Sequence, residues 1–158
     1  MGFEVRKIPE GSSKTPDYEV YLNNELVFYC EEKTIEYDDF EGSKSDPTYN
    51  SISSQVHKAV KQFKSVNENR ELPNVLAFVN FDNMKDAYDL FITLTGYARL
   101  ESGEYLGVHS VGRVRHDLDQ VDLYLWFNKK NFTNMIWGKV HQENHKRLTR
   151  IINIEKRS

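Results

Sequence analysis

Two β-prone segments joined by Asn23-Asn24 constrain the fold of this chain more than any other feature. Residues 18–22 and 26–37 are rich in Val, Tyr, Phe and Ile, which favour extended strands. Asparagine readily adopts the positive φ of a two-residue turn between antiparallel strands. The sequence therefore predicts a β-hairpin over these residues.

The second strand of this hairpin carries charged residues on both sides. Because side chains alternate along a strand, Glu31 and Lys33 point to one side, and Cys30 and Glu32 point to the other. Asp17 begins the partner strand. It lies nearer to the open end of the hairpin than the residue that would be paired directly with Glu31 in a regular hairpin. A twist or a bulge in the hairpin would bring Asp17 and Glu31 together.

Helical and extended patterns alternate along the rest of the chain, in the order strand, hairpin, helix, strand, helix, strand and helix. This order predicts an α/β fold whose mixed central sheet contains the β-hairpin and is flanked by helices, in a single domain over residues 1–158. The predicted strands outside the hairpin are 3–8, 72–81 and 121–127, the helices are 52–63, 84–94 and 133–152, and the loops are 38–50 and 101–117.

Composition narrows the class of protein further. The content of 39% hydrophobic residues is sufficient for a packed core. No apolar run approaches the ~20 residues of a membrane helix, and the first residues lack the pattern of a secretory signal. We therefore expect no membrane association and a cytoplasmic location. Cys30 is the single cysteine, so any bound metal would be held mainly by oxygen or histidine ligands.

Charge is unevenly distributed along the chain. Residues 1–102 contain 11 Lys/Arg and 18 Asp/Glu, whereas residues 103–158 contain 10 Lys/Arg and 6 Asp/Glu. The basic C-terminal part has two interpretations of equal standing. It is either a solvated helix of mixed charge or a face that contacts phosphates.

The charged residues of the hairpin suit metal-dependent chemistry. Two converging carboxylates, Asp17 and Glu31, would hold a hard cation such as Mg²⁺, with waters and a substrate phosphate completing its coordination. Lys33 could orient or help to deprotonate the attacking water, or it could neutralise charge that develops on the phosphate. The structural alternative is a solvent-facing hairpin with cross-strand charge pairs.

Pro16-Asp17, followed after thirteen residues by Glu31-Glu32-Lys33, resembles the PD-(D/E)xK signature of the restriction-endonuclease-like nuclease superfamily. In those domains the hairpin is followed by an amphipathic helix, a buried strand and another helix, which is the order of residues 16–96 here. The resemblance implies a restriction-endonuclease-like core, Mg²⁺ or Mn²⁺ as cofactor and cleavage of nucleic acid, with DNA favoured over RNA as the substrate. It also allows a homodimer or a larger assembly.

The resemblance assigns roles to individual residues. Asp17 and Glu31 would be metal ligands, the backbone carbonyl of Glu32 would be a further ligand, and Lys33 would be the catalytic lysine. Family members often add a polar residue from the following helix, for which Gln55 is the best candidate.

Two further features concern that helix and the hairpin. Gln62 lies two turns beyond Gln55 on nearly the same helix face. The position between the acid and the lysine, usually apolar in the family, is Glu32, so its side of the hairpin must be hydrated or its charge paired. The sequence therefore also allows a nuclease fold that has lost catalysis and serves as a nucleic-acid-binding or protein-interaction module.

A second metal-binding pattern lies in the last predicted helix. His141 and His145 are four residues apart, a spacing at which two imidazoles can bind one zinc ion. The helical zinc-protease motif requires glutamate directly after the first histidine, where this chain has Gln142. A polar helix face with two titratable histidines is the competing interpretation.

Overall fold

A computed structural model describes residues 2–37, 47–108, 114–139 and 141–155 of the chain. The fold is α/β, with a six-stranded mixed sheet between helices, as the sequence predicts. The strands are β1 (Phe3–Lys7), β2 (Tyr18–Leu22), β3 (Glu25–Ile35), β4 (Asn74–Asn80), β5 (Tyr97–Arg99), β6 (Tyr105–Gly107), β7 (Leu123–Asn128) and β8 (Asn131–Trp137). The helices are α1 (Pro47–Val66), α2 (Ala87–Thr95) and α3 (Gln142–Glu155).

The strand order of the main sheet is β1-β2-β3-β4-β7-β8. Strands β3, β4 and β7 are parallel to one another, because α1 and α2 lie in the connections between them, whereas the other neighbours are antiparallel. The strands β5 and β6 form a separate two-stranded hairpin. None of the described helices is long and apolar enough to cross a membrane.

One face of the main sheet, which we call the α1/α2 face, carries the larger part of the core. Helix α1 contributes an apolar stripe, and the sheet contributes alternate residues of β4 and β7. The five residues at helical spacing on α1 are all buried, as predicted: Ile52, Val56, Ala59, Val60 and Phe63. Helix α2 is held at its ends by a capping box between Asp86 and Asp89 and by Gly96, which has φ 76° and stops the helix as predicted.

The opposite face of the sheet, which we call the α3 face, is covered by α3. Its buried cluster consists of Val75, Leu123 and Leu148, with partly buried neighbours that include Phe28 and Cys30. Consecutive residues of β3 therefore alternate between the two faces. Strand β4 is covered on both faces, which explains its continuous apolar run.

The prediction of one long helix over residues 133–152 is wrong. The first part of this segment is strand β8, which pairs with β7 through a turn at Lys129, whose φ is 56°. Gly138 directly follows the strand and does not interrupt a helix. A Cβ atom at this position would lie 1.8 Å from the carbonyl oxygen of Val121. Only a glycine allows this approach of the two backbones, and α3 starts after it.

Two segments predicted as loops contain regular secondary structure. Helix α1 begins at Pro47, within the predicted loop 38–50, because proline suits the first turn of a helix. The rest of that loop, residues 38–46, lies outside the described residues. The predicted loop or flexible hairpin over residues 101–117 contains β6, and its residues 109–113 also lie outside the described residues.

Candidate metal and catalytic site

The predicted hairpin is formed by β2 and β3, and its turn is the predicted one. Asn23 and Asn24 have φ values of 52° and 65°, which place both in the left-handed conformation. This is the geometry of a two-residue turn between Leu22 and Glu25, which are paired.

A β-bulge lies close to this turn. Tyr21 is paired with Leu26, but the next pair is Val20 with Phe28. Val27 is therefore an extra residue in β3 without a partner in β2, and the register of the hairpin shifts by one residue beyond it.

The bulge decides which residues meet at the open end of the hairpin. Tyr18 is paired with Cys30, so the same register brings Asp17 opposite Glu31. Without the extra residue, Asp17 would be opposite Cys30, whose side chain lies on the α3 face. The sequence allowed either a twist or a bulge to bring the two predicted metal ligands together. The structure has the bulge.

Two hydrogen bonds between carboxylates and backbone amides link Asp17 to Glu31 and Glu32. The amide of Asp17 donates to Oε2 of Glu31 over 3.0 Å, and the amide of Glu32 donates to Oδ2 of Asp17 over 2.9 Å. The N–H and C=O of one strand residue point to the same side, so the Glu32 carbonyl lies on the side of β3 that faces β2. The carboxylates of Asp17 and Glu31 and the backbone of Glu32 therefore lie close together at the end of the β2–β3 ladder.

Lys33 lies beside this position. Its Nζ donates to Oε1 of Glu31 and, over 2.7 Å, to Oε1 of Gln62 on α1. The Glu31 side chain is only 1% exposed. Burial raises the pKa of Glu31 above its ordinary value, and the hydrogen bond from Lys33 opposes that rise. The lysine thus supplies the positive charge that a buried carboxylate needs.

The helix residue that contacts the hairpin is Gln62. Its amide nitrogen donates to the carbonyl oxygen of Thr15 over 2.9 Å, so one side chain holds both the lysine and the segment that leads into Asp17. Gln55 is partly exposed and makes no hydrogen bond to the hairpin among the described residues, so its supporting role stays a prediction. The helix face common to Gln55 and Gln62 could be read from the sequence, but not which turn of the helix reaches Lys33.

The Glu32 side chain does not enter this site. It is exposed on the α3 face, where β3 extends beyond the residues that α3 covers. Its charge is therefore hydrated, which explains how a charged residue is tolerated at a position that is usually apolar.

The donor set fits a magnesium ion. Mg²⁺ is usually bound by one or two carboxylates together with waters and substrate oxygens. Asp17 and Glu31 would supply two carboxylates and Glu32 would supply a carbonyl, and Oδ1 of Asp17 makes no hydrogen bond among the described residues. The part of the chain that the structure describes contains no group of three or more His, Cys, Asp or Glu side chains arranged around a metal position. Binding here would thus depend on the backbone oxygen and on water.

The two histidines of the second pattern have other contacts. The His145 ring packs against Trp137 with a centroid distance of 4.3 Å, and Nδ1 of His141 lies 3.4 Å from the amide nitrogen of Asn144. His141 thus caps the start of α3. A zinc ion would have to displace both contacts.

The basic residues of α3 are remote from the hairpin site. Helix α3 packs on the α3 face, whereas Glu31 and Lys33 point to the α1/α2 face. Arg147 donates to the carbonyl oxygen of Glu71 over 2.6 Å. The α3 face also contains a groove of about 610 Å³ whose lining is almost entirely apolar, which does not suit a phosphate group.

No known family model matches this chain, and neither a characterised protein nor a solved structure matches it.

Proposed function

We propose that this protein is a Mg²⁺-dependent nuclease that hydrolyses phosphodiester bonds of DNA, with Asp17, Glu31 and the Glu32 carbonyl as metal ligands and Lys33 as catalytic residue. The observation that carries the proposal is the cluster of Asp17, Glu31 and Lys33 at the open end of the hairpin. The proposal includes a restriction-endonuclease-like core formed by β2, β3, α1, β4 and α2, in the order that the resemblance implies.

The metal and the lysine have separate tasks in this proposal. A bound Mg²⁺ would polarise the phosphate and lower the pKa of a coordinated water. The Lys33 ammonium group has three donors, of which Glu31 and Gln62 accept two. The third is left to orient the attacking water or to donate to a phosphate oxygen as negative charge develops on it.

Three exposed lysines near the site are candidates for contacts to neighbouring phosphates. Lys58 precedes Gln62 by one helical turn, Lys61 lies next to Gln62, and the carbonyl of Lys14 accepts a hydrogen bond of 3.0 Å from Ser65 on the same helix. None of the ion pairs among the described residues involves these lysines. This places the proposed phosphate contacts in the acidic part of the sequence, away from the basic C-terminal helix.

Cleavage assays test the proposed function. Supercoiled plasmid, single-stranded DNA and RNA are incubated with the wild type in Mg²⁺, in Mn²⁺ and in EDTA. We expect metal-dependent cleavage of DNA that Lys33→Ala slows by about 100-fold or more, the scale of losing one group that stabilises transition-state charge. Arg150→Ala, on the other face of the sheet, is the matched control and should cleave like the wild type. Undiminished cleavage by Lys33→Ala would exclude the proposed site.

A second candidate is a catalytically inactive module that binds nucleic acid or protein. It is favoured by the contact of Lys33 with Glu31, which balances the buried charge without a metal ion. This candidate predicts binding of DNA that is independent of Mg²⁺ and no cleavage of any of the three substrates. Salt dependence of the binding would distinguish nucleic acid from a protein partner, because phosphate contacts release counterions.

A further inference from the structure

Among the strands that the structure describes, β1 is an edge of the main sheet and has β2 as its one neighbour. The amide of Ile8 donates to the carbonyl oxygen of Asp17 over 2.8 Å, so Ile8 and Asp17 form a hydrogen-bonded pair that extends the β1–β2 ladder. In an antiparallel ladder such pairs alternate with pairs that are not bonded. The backbone N–H and C=O groups of Glu4 and Arg6 are therefore directed to β2. Those of Phe3, Val5 and Lys7 are directed outward, away from the sheet.

We propose that two copies of this chain associate through β1, antiparallel to each other, around a two-fold axis at Val5. Each Val5 would then exchange its N–H and C=O with the partner's Val5, and the two sheets would become one. This pairing is isologous, so it closes at two subunits. Val5 is 59% exposed in the single chain, and the pairing covers it.

Charge complementarity supports a second copy as the occupant of this edge. With Val5 on the axis, Glu4 of each chain is directly opposite the partner's Arg6. These are pairs without mutual backbone hydrogen bonds, in which Cα atoms approach to about 4.5 Å and side chains interact most closely. Arg6 is already held on the appropriate side, because its guanidinium lies 4.1 Å from the centre of the Tyr21 ring and its Nε is 2.7 Å from Oε1 of Glu4.

The other edge of the sheet is unsuited to such pairing. Strand β8 has a bulge, because Phe132 is paired with Phe127 but Asn134 is paired with Trp126. Lys129 and Lys139 flank the strand, so antiparallel self-pairing centred on Asn134 would bring Lys129 opposite the partner's Lys139. A bulge, and like charges placed opposite each other, both disfavour pairing at this edge. The two edges thus differ, and β1 is the one compatible with a second copy.

The geometry of this dimer has a consequence for the candidate sites. A two-fold axis perpendicular to the sheet keeps the α1/α2 faces of both copies on the same side. The two β3 strands are then five strand spacings apart, about 24 Å. A five-residue strand gives a small interface, for which weak and concentration-dependent association is expected.

Sedimentation analysis of the full chain over a wide concentration range tests the proposal. We expect the mass to rise from one chain toward two as the concentration increases. Val5→Pro removes the outward N–H without removing a bond to β2, so it should remain folded by circular dichroism and stay monomeric. Val5→Thr keeps the N–H and is the matched control that should still dimerise. A monomer at all concentrations, or a dimer of Val5→Pro, would overturn the proposal.

A charge exchange tests the register independently of the proline variant. Glu4→Arg alone and Arg6→Glu alone each bring like charges together across the axis, and each should weaken dimerisation by about tenfold or more. The double variant Glu4→Arg/Arg6→Glu restores opposite charges and should recover the dimer. Failure of the double variant to dimerise better than both single variants would contradict the register centred on Val5.

Discussion

Glu31 is a carboxylate without access to solvent, and its partners define the candidate site at the scale of single residues. The amide of Asp17 and the ammonium group of Lys33 each take one of its oxygens. Lys33 is in turn held by Gln62. These four residues form one connected hydrogen-bonded group, so a substitution of one of them changes the hydrogen bonds of the others.

We predict that Gln62 contributes more than Gln55 to the position of the lysine, because Gln62 is the helix residue that contacts Lys33. Gln62→Ala removes the acceptor of Lys33 and the donor to Thr15, so DNA cleavage should fall by about 10- to 100-fold, as is usual when a residue that orients a ligand or catalytic group is lost. Gln55→Ala is the matched control on the same helix. The measurement is the rate of plasmid cleavage at saturating Mg²⁺, together with the pH profile of that rate. Equal losses in both variants would contradict this assignment.

A pH dependence of stability follows from the burial of Glu31. Because the pKa of Glu31 is raised in the folded state, this residue favours folding below its ordinary pKa of 4.5, and the contribution is lost as the pH rises through the raised value. We expect the free energy of unfolding of the wild type, relative to Glu31→Gln, to decrease from pH 4.5 toward neutrality. Urea unfolding of both proteins in EDTA measures this difference. A difference that increases with pH would show that Lys33 outweighs burial.

At the scale of elements, β3 separates two chemical environments by the alternation of its side chains. Glu31 and Lys33 face α1, whereas Cys30 faces the apolar cluster under α3. Burial, reinforced by the neighbouring carboxylates, raises the pKa of the Cys30 thiol to about 12. The same strand therefore presents a charged site and a half-buried thiol of raised pKa one residue apart.

The raised pKa of Cys30 gives a prediction about its reactivity. With a pKa of about 12 instead of the ordinary 9.0, the thiolate fraction of Cys30 near neutral pH is lower by roughly a thousandfold. Alkylation by iodoacetamide should therefore be very slow in the folded protein and fast in urea, where the same cysteine is exposed. Mass spectrometry of the reacted protein measures both rates. Rapid alkylation of the folded protein would indicate that α3 does not cover this part of β3.

The elements also show what sequence patterns can and cannot predict. The hairpin, the stripe of α1 and the buried strand β4 were predictable because alternation, helical spacing and apolar content each indicated one structure. Strand β8 was not, because Phe132 to Trp137 fits a helix as well as a strand when its pairing with β7 is unknown. For the site, alternation predicted that Glu31 and Lys33 share a face. The contact with Asp17 depended on a bulge, which is a tertiary feature with no local signal.

At the scale of the whole molecule, a buried polar network connects the helices to the sheet. Asp122 accepts from Arg70 over 2.7 Å and from the amide of Asn74 over 2.8 Å, and Nδ2 of Asn144 on α3 lies 3.4 Å from it. All four residues are buried. The network thus links the segment after α1, the start of β4, the segment before β7 and α3 at one carboxylate.

We predict that Asp122→Ala lowers the free energy of unfolding by about 3–5 kcal/mol, because it leaves the Arg70 guanidinium buried without its partner. Asp119→Ala, at an exposed position close by in sequence, is the control and should change it by less than about 0.5 kcal/mol. Thermal or urea unfolding measures both values. A cost for Asp122→Ala as small as that of the control would mean that the network does not hold these elements together.

The bulge at Val27 also has a consequence for how such sites are found in sequences. In a regular hairpin with a two-residue turn, paired residues differ in number by an odd value, as for Leu22 and Glu25. One extra residue changes this parity, and Asp17 and Glu31 differ by 14. For a turn of known length, the parity of the spacing between two acidic residues therefore indicates whether they meet with or without a bulge. A motif search that fixes one parity would miss the hairpins that build the same site with the other parity.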